Sequence, residues 1–369
     1  MGKHGFRFSL TLAAGLVFFI PPLRAEFVYV ANSADKTIAG YSVGTDGTLT
    51  SVPGSPFPGL SGTISLTVEP RGRFLYALGV DASTLLGYHI ENNGALSLIP
   101  GSPYAQTSPP QSISADPNGN FLYLANLPDT VSGYRIEPNG SLTPVPGSPF
   151  AAGYRPAAVV VEPKGEYVYE INASDSSVWG YHIESNGALV PAVDSPFAVG
   201  YPGYLVTPGV YMVPTLAKGE LVYINNFELY VYSVQCQGAL VQYPGLPVSD
   251  LGINGPGILL IDPKGEFAFM ETQFANQPAP VLVTCKIGDQ GELTPIPSTE
   301  IPAADLVSVA IDSTGAFLFL INSSTGLTVY GIRDDGSLTP VKGSPYVTGI
   351  GPKAVAVTPN ARHSLVISH

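Results

Sequence analysis

One unit of about 47 residues recurs from one end of the chain to the other, and nothing else in the sequence limits the fold as tightly. Each unit opens on an apolar, aromatic run: Phe27-Val-Tyr-Val-Ala-Asn32, Phe74-Leu-Tyr-Ala77, Phe121-Leu-Tyr-Leu-Ala-Asn126 and Tyr167-Val-Tyr-Glu-Ile-Asn172. Leu221-Val-Tyr-Ile-Asn225, Phe267-Ala-Phe-Met270 and Phe317-Leu-Phe-Leu-Ile-Asn322 complete the series. The units start at residues 26, 73, 120, 166, 220, 266 and 316, with spacings of 47, 47, 46, 54, 46 and 50. A chain of 369 residues would ordinarily divide into two domains at roughly 150 residues each. Seven contiguous copies without a linker make one array instead.

Every copy holds four strand-like runs. A polar turn follows the opening run, and the next run ends in Tyr41, Tyr88, Tyr134, Tyr181, Tyr232 or Tyr330, with Cys285 in the sixth copy. A tight turn then ends in Gly-x-Leu each time: Gly47, Gly94, Gly140, Gly187, Gly238, Gly291 and Gly336. Glycine in every copy points to a backbone with positive φ, as hairpin turns require. The run after it closes on Gly-Ser-Pro-aromatic at Gly54–Phe57, Gly101–Tyr104, Gly147–Phe150 and Gly343–Tyr346. Proline has no N–H for a ladder, so that strand belongs at a sheet edge. The last run is the most apolar, as in Ala157–Val161 and Ile258–Ile261, and is expected to be buried on both faces. It ends in acid-Pro-x-Gly at Glu69–Gly72, Asp116–Gly119, Glu162–Gly165 and Asp262–Gly265, the pattern of a type I turn.

Four antiparallel strands running from a buried strand to an edge strand make one propeller blade. The expected fold is therefore all-β: a seven-bladed β-propeller with four-stranded blades. Innermost strands are expected near Ile64, Ser112, Ala157, Leu205, Ile258, Val307 and Ala354. The first unit lacks an innermost strand and the last innermost strand lacks followers, so N- and C-terminal strands should join to close the ring. Either 26–32 or 362–368 completes that blade. The excess of the fourth unit should be an insertion around Val206–Ala217, after the innermost strand.

Residues 1–25 read differently from the rest. Lys3, His4 and Arg7 precede a run of 13 mostly apolar residues, Phe8–Ile20, and small Ala25 follows as a cleavage position. That is the outline of a secretory signal, too short for a spanning helix of ~20 residues, and it leaves 26–369 as one domain. Without Lys3, Arg7 and Arg24 the chain keeps 13 basic residues against 28 acids, a net charge of −15. Such a surface argues against nucleic acid and anionic membranes as partners. The expected location is periplasmic or extracellular, and the expected state a monomer with no stable membrane insertion. The two cysteines, Cys236 and Cys285, fall too far apart in the repeat to bridge and are expected to be free thiols.

The Phe27–Asn32 and Phe121–Asn126 strands, with turns of the Asp116-Pro-Asn-Gly119 kind, resemble the lactonase-like seven-bladed propellers, the 6-phosphogluconolactonase-like superfamily, and their secreted YVTN-repeat relatives. The resemblance spans residues 26–361. It implies a ligand face built from the loops leading into the innermost strands and those after the second strands. In members that act on lactones it implies a His just after the Pro opening an innermost strand, with Arg or Glu nearby. The matching residues here are Gln111, Ala157, Gly203, Gly257 and Lys353, and none is His. A neutral imidazole is what a general base near pH 7 would supply. No catalytic residue is assigned.

His89 and His182 occupy a strand position that holds Arg135 in a sibling copy, which suits a solvated site. Arg155 and Lys353 are the cations nearest the expected channel mouth and suit a carboxylate or phosphate. Gln111, Asp129 and Asp175 complete the candidate ligand-binding set. Asp35, Asp81, Asp129 and Asp175 recur after the second strand, as turn acids or as a ring able to take Ca²⁺; no metal site and no cofactor is assigned. Two functions stay open. One is a secreted binding or scaffolding propeller for a small polar ligand, glycan or protein; the other is a lactone hydrolase of the 6-phosphogluconolactonase type.

Overall fold

The computed structural model describes residues 25–359 apart from 82, 175–176, 200–210, 216–220, 227, 244–256, 274–278, 290 and 298. Seven small antiparallel sheets form the ring, each running from an innermost strand a outward through b, c and d. Blade 1 takes strand a from the C-terminal end (Pro352–Val357) and b, c and d from the N-terminal end (Phe27–Asn32, Thr37–Val43, Leu49–Ser51). Val28 pairs with Val357 and Ala31 with Ala354, so 26–32 is the copy that closes the ring. The 362–368 alternative lies outside the described residues. Strands a of blades 2 to 7 are Thr63–Val68, Pro110–Ala115, Pro156–Val161, Tyr211–Thr215, Leu259–Ile261 and Leu306–Ile311. Each touches the next around one axis. Among the described residues the only helical element is a single turn, Cys236–Gly238.

Three expectations change. The run read as innermost and doubly buried is strand a, yet it is only half-buried in most blades, because one side faces the axial channel. The strand buried along its whole length is b, as in Phe27–Asn32, Phe74–Gly79 and Phe121–Asn126. In b, alternate side chains fill the two neighbouring blade interfaces: Phe27, Tyr29 and Ala31 pack toward blade 2, while Val28 and Val30 pack toward blade 7. Second, strand a of blade 5 is Tyr211–Thr215, not the stretch near Leu205, which lies outside the described residues. Twelve residues, 199–210, separate it from the preceding outer segment Phe197–Ala198; four, 152–155, do so in the blade before. The extra length of the fourth unit therefore precedes strand a. Third, the outer strand is split. Leu49–Ser51 and Phe57–Pro58 pair with opposite ends of the same strand c, and Gly54-Ser-Pro56 forms the corner between them. Ser55 Oγ accepts the Gly40 N–H there (2.9 Å), and the same bond recurs at Ser102, Ser148, Ser195 and Ser344.

The recurring tyrosines stitch blade to blade. Strand-b hydroxyls donate to the turn glycine carbonyl of the following blade: Tyr29 to Gly94, Tyr76 to Gly140, Tyr123 to Gly187, Tyr169 to Gly238 and Tyr223 to Gly291, at 2.8–3.0 Å. Strand-c hydroxyls reach back to the previous blade's outer segment, Tyr41 to Val347 and Tyr181 to Ala151. Cys285 holds that position in blade 6, fully buried, and Cys236 is exposed; both are free thiols. At the end of strand a, each turn acid caps its own loop: Asp116 accepts from the N–H groups of Asn118, Asn120 and Phe121. Glu69, Glu162, Asp262 and Asp312 do the same, so their role is structural.

Candidate functional site

Strand a begins with the same irregularity in five blades. Its pairing with b skips one residue between Thr63 and Ser65, Pro110 and Ser112, Pro156 and Ala158, Leu306 and Ser308, and Pro352 and Ala354. An extra residue in a bulge is left unpaired and its side chain is re-aimed. The five residues concerned are Ile64, Gln111, Ala157, Val307 and Lys353, at the rim where the loops lead into the channel. Gln111, Ala157 and Lys353 are three of the positions where the resemblance implied His. Sequence reasoning missed Ile64 and Val307 because it searched for a preceding Pro, and Thr63 and Leu306 stand there instead. Gly257 is different: a side chain there would run into the Glu271 backbone, so it is a packing residue. Gly203 and Asp175 lie outside the described residues.

Blades 1, 2 and 3 thus place Lys353, Ile64 and Gln111 side by side on the rim. Lys353 is exposed, and among the described residues the Gln111 amide donates only to the Pro110 carbonyl (3.1 Å). Deeper in the channel, Ser112 and Ser114 Oγ accept the otherwise unpaired N–H groups of Val159 and Val161 on the next blade, and Ser308 Oγ accepts that of Val355. These serines satisfy part of the free edge of the innermost strands of blades 4 and 1 and are committed to that task.

Arg155 sits one residue before the Pro that opens strand a of blade 4. Its N–H donates to Pro128 of blade 3 and its carbonyl accepts from Ala173 of its own blade. Gly62 and Gly351 carry the equivalent carbonyl bonds in blades 2 and 1, with φ of +65° and +69°. Arg155 holds φ +62° there, a left-handed conformation that costs a side-chain-bearing residue about 1–2 kcal/mol. Its side chain is exposed, and blades 2 and 3 stand between it and Lys353, so the two cations do not form one clamp. Asp129 is exposed beside Arg155's segment, its carbonyl accepting from Ala152. Asp35 and Asp81 instead brace the loop leading into strand a of their own blade, accepting from Ile350 N–H and from Ser61 Oγ–H. Among the described residues no three His, Cys, Asp or Glu side chains converge on a metal-sized point. His89 and His182 are half exposed on the outer flank, beside Glu91 and Glu184.

No protein-family model matches the chain, and no curated protein resembles it in sequence. Solved structures do resemble it in shape. The periplasmic gluconolactonase of Pseudomonas aeruginosa superimposes at a TM-score of 0.71 with 18% identity, over 90% of this chain and 99% of that one. The provisionally assigned 6-phosphogluconolactonase of Bacteroides fragilis gives 0.70 with 15% identity, over 91% and 98%. A Lactobacillus plantarum protein gives 0.69 with 17% identity, over 90% and 99%. At these identities the likeness is one of architecture: the chain is a seven-bladed β-propeller with the fold of the lactonase-like propellers.

Proposed function

We propose that this protein is an exported, monomeric propeller that binds a small polar ligand of the sugar or sugar-acid class at the channel rim. The observation that carries the reading is the set of five bulge residues. Ile64, Gln111, Ala157, Val307 and Lys353 offer one cation, one amide and three apolar surfaces, and no group that titrates near neutrality to take a proton. Lys353 supplies a point charge for a carboxylate, Gln111 a donor and acceptor for hydroxyls, and Ile64 an apolar contact for a sugar face. Arg155 adds a second cation across the rim. A chain with 13 basic against 28 acidic residues once 1–25 are removed makes nucleic acid an unsuitable partner.

Lactone hydrolysis is the second reading, supported by likeness to a structure described as a periplasmic gluconolactonase. The two are separated by mixing the protein with glucono-δ-lactone and, independently, with gluconate. The binding reading expects saturable gluconate binding that Lys353→Ala weakens at least tenfold, with lactone opening no faster than in buffer. Saturable lactone opening that Arg155→Ala or Lys353→Ala abolishes replaces it with the hydrolase reading.

A further inference from the structure

The seam that closes the ring hides a carboxyl group without a counter-charge. Glu26, just before strand b of blade 1, is 9% exposed, and its Oε1 receives no hydrogen bond from the described residues. The Ser313 N–H of blade 7 reaches the carboxyl, and the carboxylate of the preceding residue, Asp312, 1% exposed, lies within electrostatic reach of it. Asp312 is already occupied by its own loop, accepting from Ala316 and Phe317 N–H at 2.7 Å each and from Thr314. Among the described residues no Lys, Arg or His pairs with either acid. Two buried acids within electrostatic reach, one with a bare oxygen, ionise together only if a cation joins them; otherwise Glu26 stays protonated.

The backbone of the same residue is tied into the propeller. Glu26 O accepts the Val43 N–H (2.9 Å), Phe27 N–H donates to Thr358 Oγ1 (2.8 Å), and Thr358 N–H donates to Phe27 O (2.9 Å). Ala25 is exposed, and the Glu26 N–H makes no hydrogen bond among the described residues. Breaking the bond between them therefore removes no contact of the propeller. The small residue at 25 and the apolar run before it give an export peptidase its usual target.

We infer that the chain is cut between Ala25 and Glu26, and that the α-ammonium so created is the counter-charge of the Glu26–Asp312 pair. The step is hydrolysis: water adds across the amide, Ala25 leaves as a carboxylate, and the Glu26 amine takes a proton. That ammonium stands on the same Cα as the Glu26 side chain, at the mouth of the seam. Processing then completes ring closure as well as releasing the leader. The inference is independent of what the channel rim binds.

Burial pushes the Glu26 carboxyl up to about 8, with Asp312 adding to the rise. A group raised in the fold stabilises fully below its unfolded value and loses that contribution as pH rises through the folded one. The full-length chain, expressed in a secreting host, is first weighed intact: a mature mass beginning at Glu26 is expected, and any other first residue overturns the cleavage. The chain starting at Glu26 with a free amine is then compared with one keeping N-acetyl-Ala25, by urea unfolding at pH 5 and pH 8. The free-amine chain should fold with a constant about fivefold larger at pH 8 if the ammonium lowers the Glu26 value by one unit, and the gap should shrink at pH 5. Glu26→Gln should flatten the pH dependence of the acetylated chain. Equal pH dependence of the two wild-type chains overturns the counter-charge.

Discussion

Substituting Gly140 by Val tests the packing of one blade against the next. Gly140 closes the c–d turn of blade 3 with φ +83°, and its carbonyl accepts the Tyr76 hydroxyl of blade 2. The left-handed backbone alone costs a side-chain-bearing residue about 1–2 kcal/mol. A Cβ at this position would also lie 2.6 Å from Cδ1 and Cε1 of Phe74 and 2.7 Å from Cδ1 of Ile99. Phe74 is 1% exposed, with the Arg73 guanidinium 4.8 Å from its ring centroid and His89 edge-on, so it has no room to retreat. Overpacking of this kind adds about 1–3 kcal/mol, which brings the total for Gly140→Val to about 2–5 kcal/mol. Ser141→Ala next door loses only the hydroxyl bond to Asn139 Oδ1, the backbone N–H keeping its own bond to that oxygen, and should cost under about 0.5 kcal/mol. Urea titration followed by tyrosine fluorescence compares the two, and Phe74→Leu provides the separating background. There the steric part of the Gly140→Val cost should fall while the backbone part persists. Equal unfolding midpoints for Gly140→Val and Ser141→Ala would refute both the strain and the interblade contact.

Tyr123→Phe removes a 2.9 Å bond to Gly187 and should cost about 1–2 kcal/mol, whereas Phe319→Tyr restores a hydroxyl where blade 7 lacks one and should gain about 1 kcal/mol; thermal melts of both decide it. Arg155→Gly releases the left-handed strain and should raise stability by about 1 kcal/mol; a loss of stability would contradict the strain. Burial raises the Glu271 carboxyl above its ordinary value, so its contribution is complete below the unfolded carboxylate range and fades as pH rises through the folded value. Glu271→Gln should therefore stabilise at pH 8 relative to pH 4 in urea titrations. Cys236 should react with a thiol reagent in the native protein, while Cys285, buried and pushed up to about 12, should react only after unfolding.

The turn chemistry was legible because it is local. The positive φ of Gly140, the acid caps at Asp116 and Asp262, and the edge placement of the Gly-Ser-Pro corner each follow from the backbone preference of one or two residues. Repetition then carried the argument from one unit to the ring, since seven identical problems admit one solution. The free thiols followed from the same alignment, because Cys236 and Cys285 fall at different depths of neighbouring blades.

What only the tertiary structure decided are the matters of relation between units. An apolar run in sequence marks a strand that excludes water, and strand a and strand b both qualify. The axis chose between them by leaving one side of a open, so Phe74–Gly79 is the buried strand and Thr63–Val68 the half-open one. Blade 5 shows the same limit. Its innermost strand is fixed at Tyr211–Thr215 by pairing with Leu221–Asn225, and no local signal separates that stretch from Leu205. The rim was legible only in part: Gln111, Ala157 and Lys353 follow a proline that marks them, whereas Ile64 and Val307 do not. A bulge is an irregularity in register between two strands, and register exists only once the partner strand is in place.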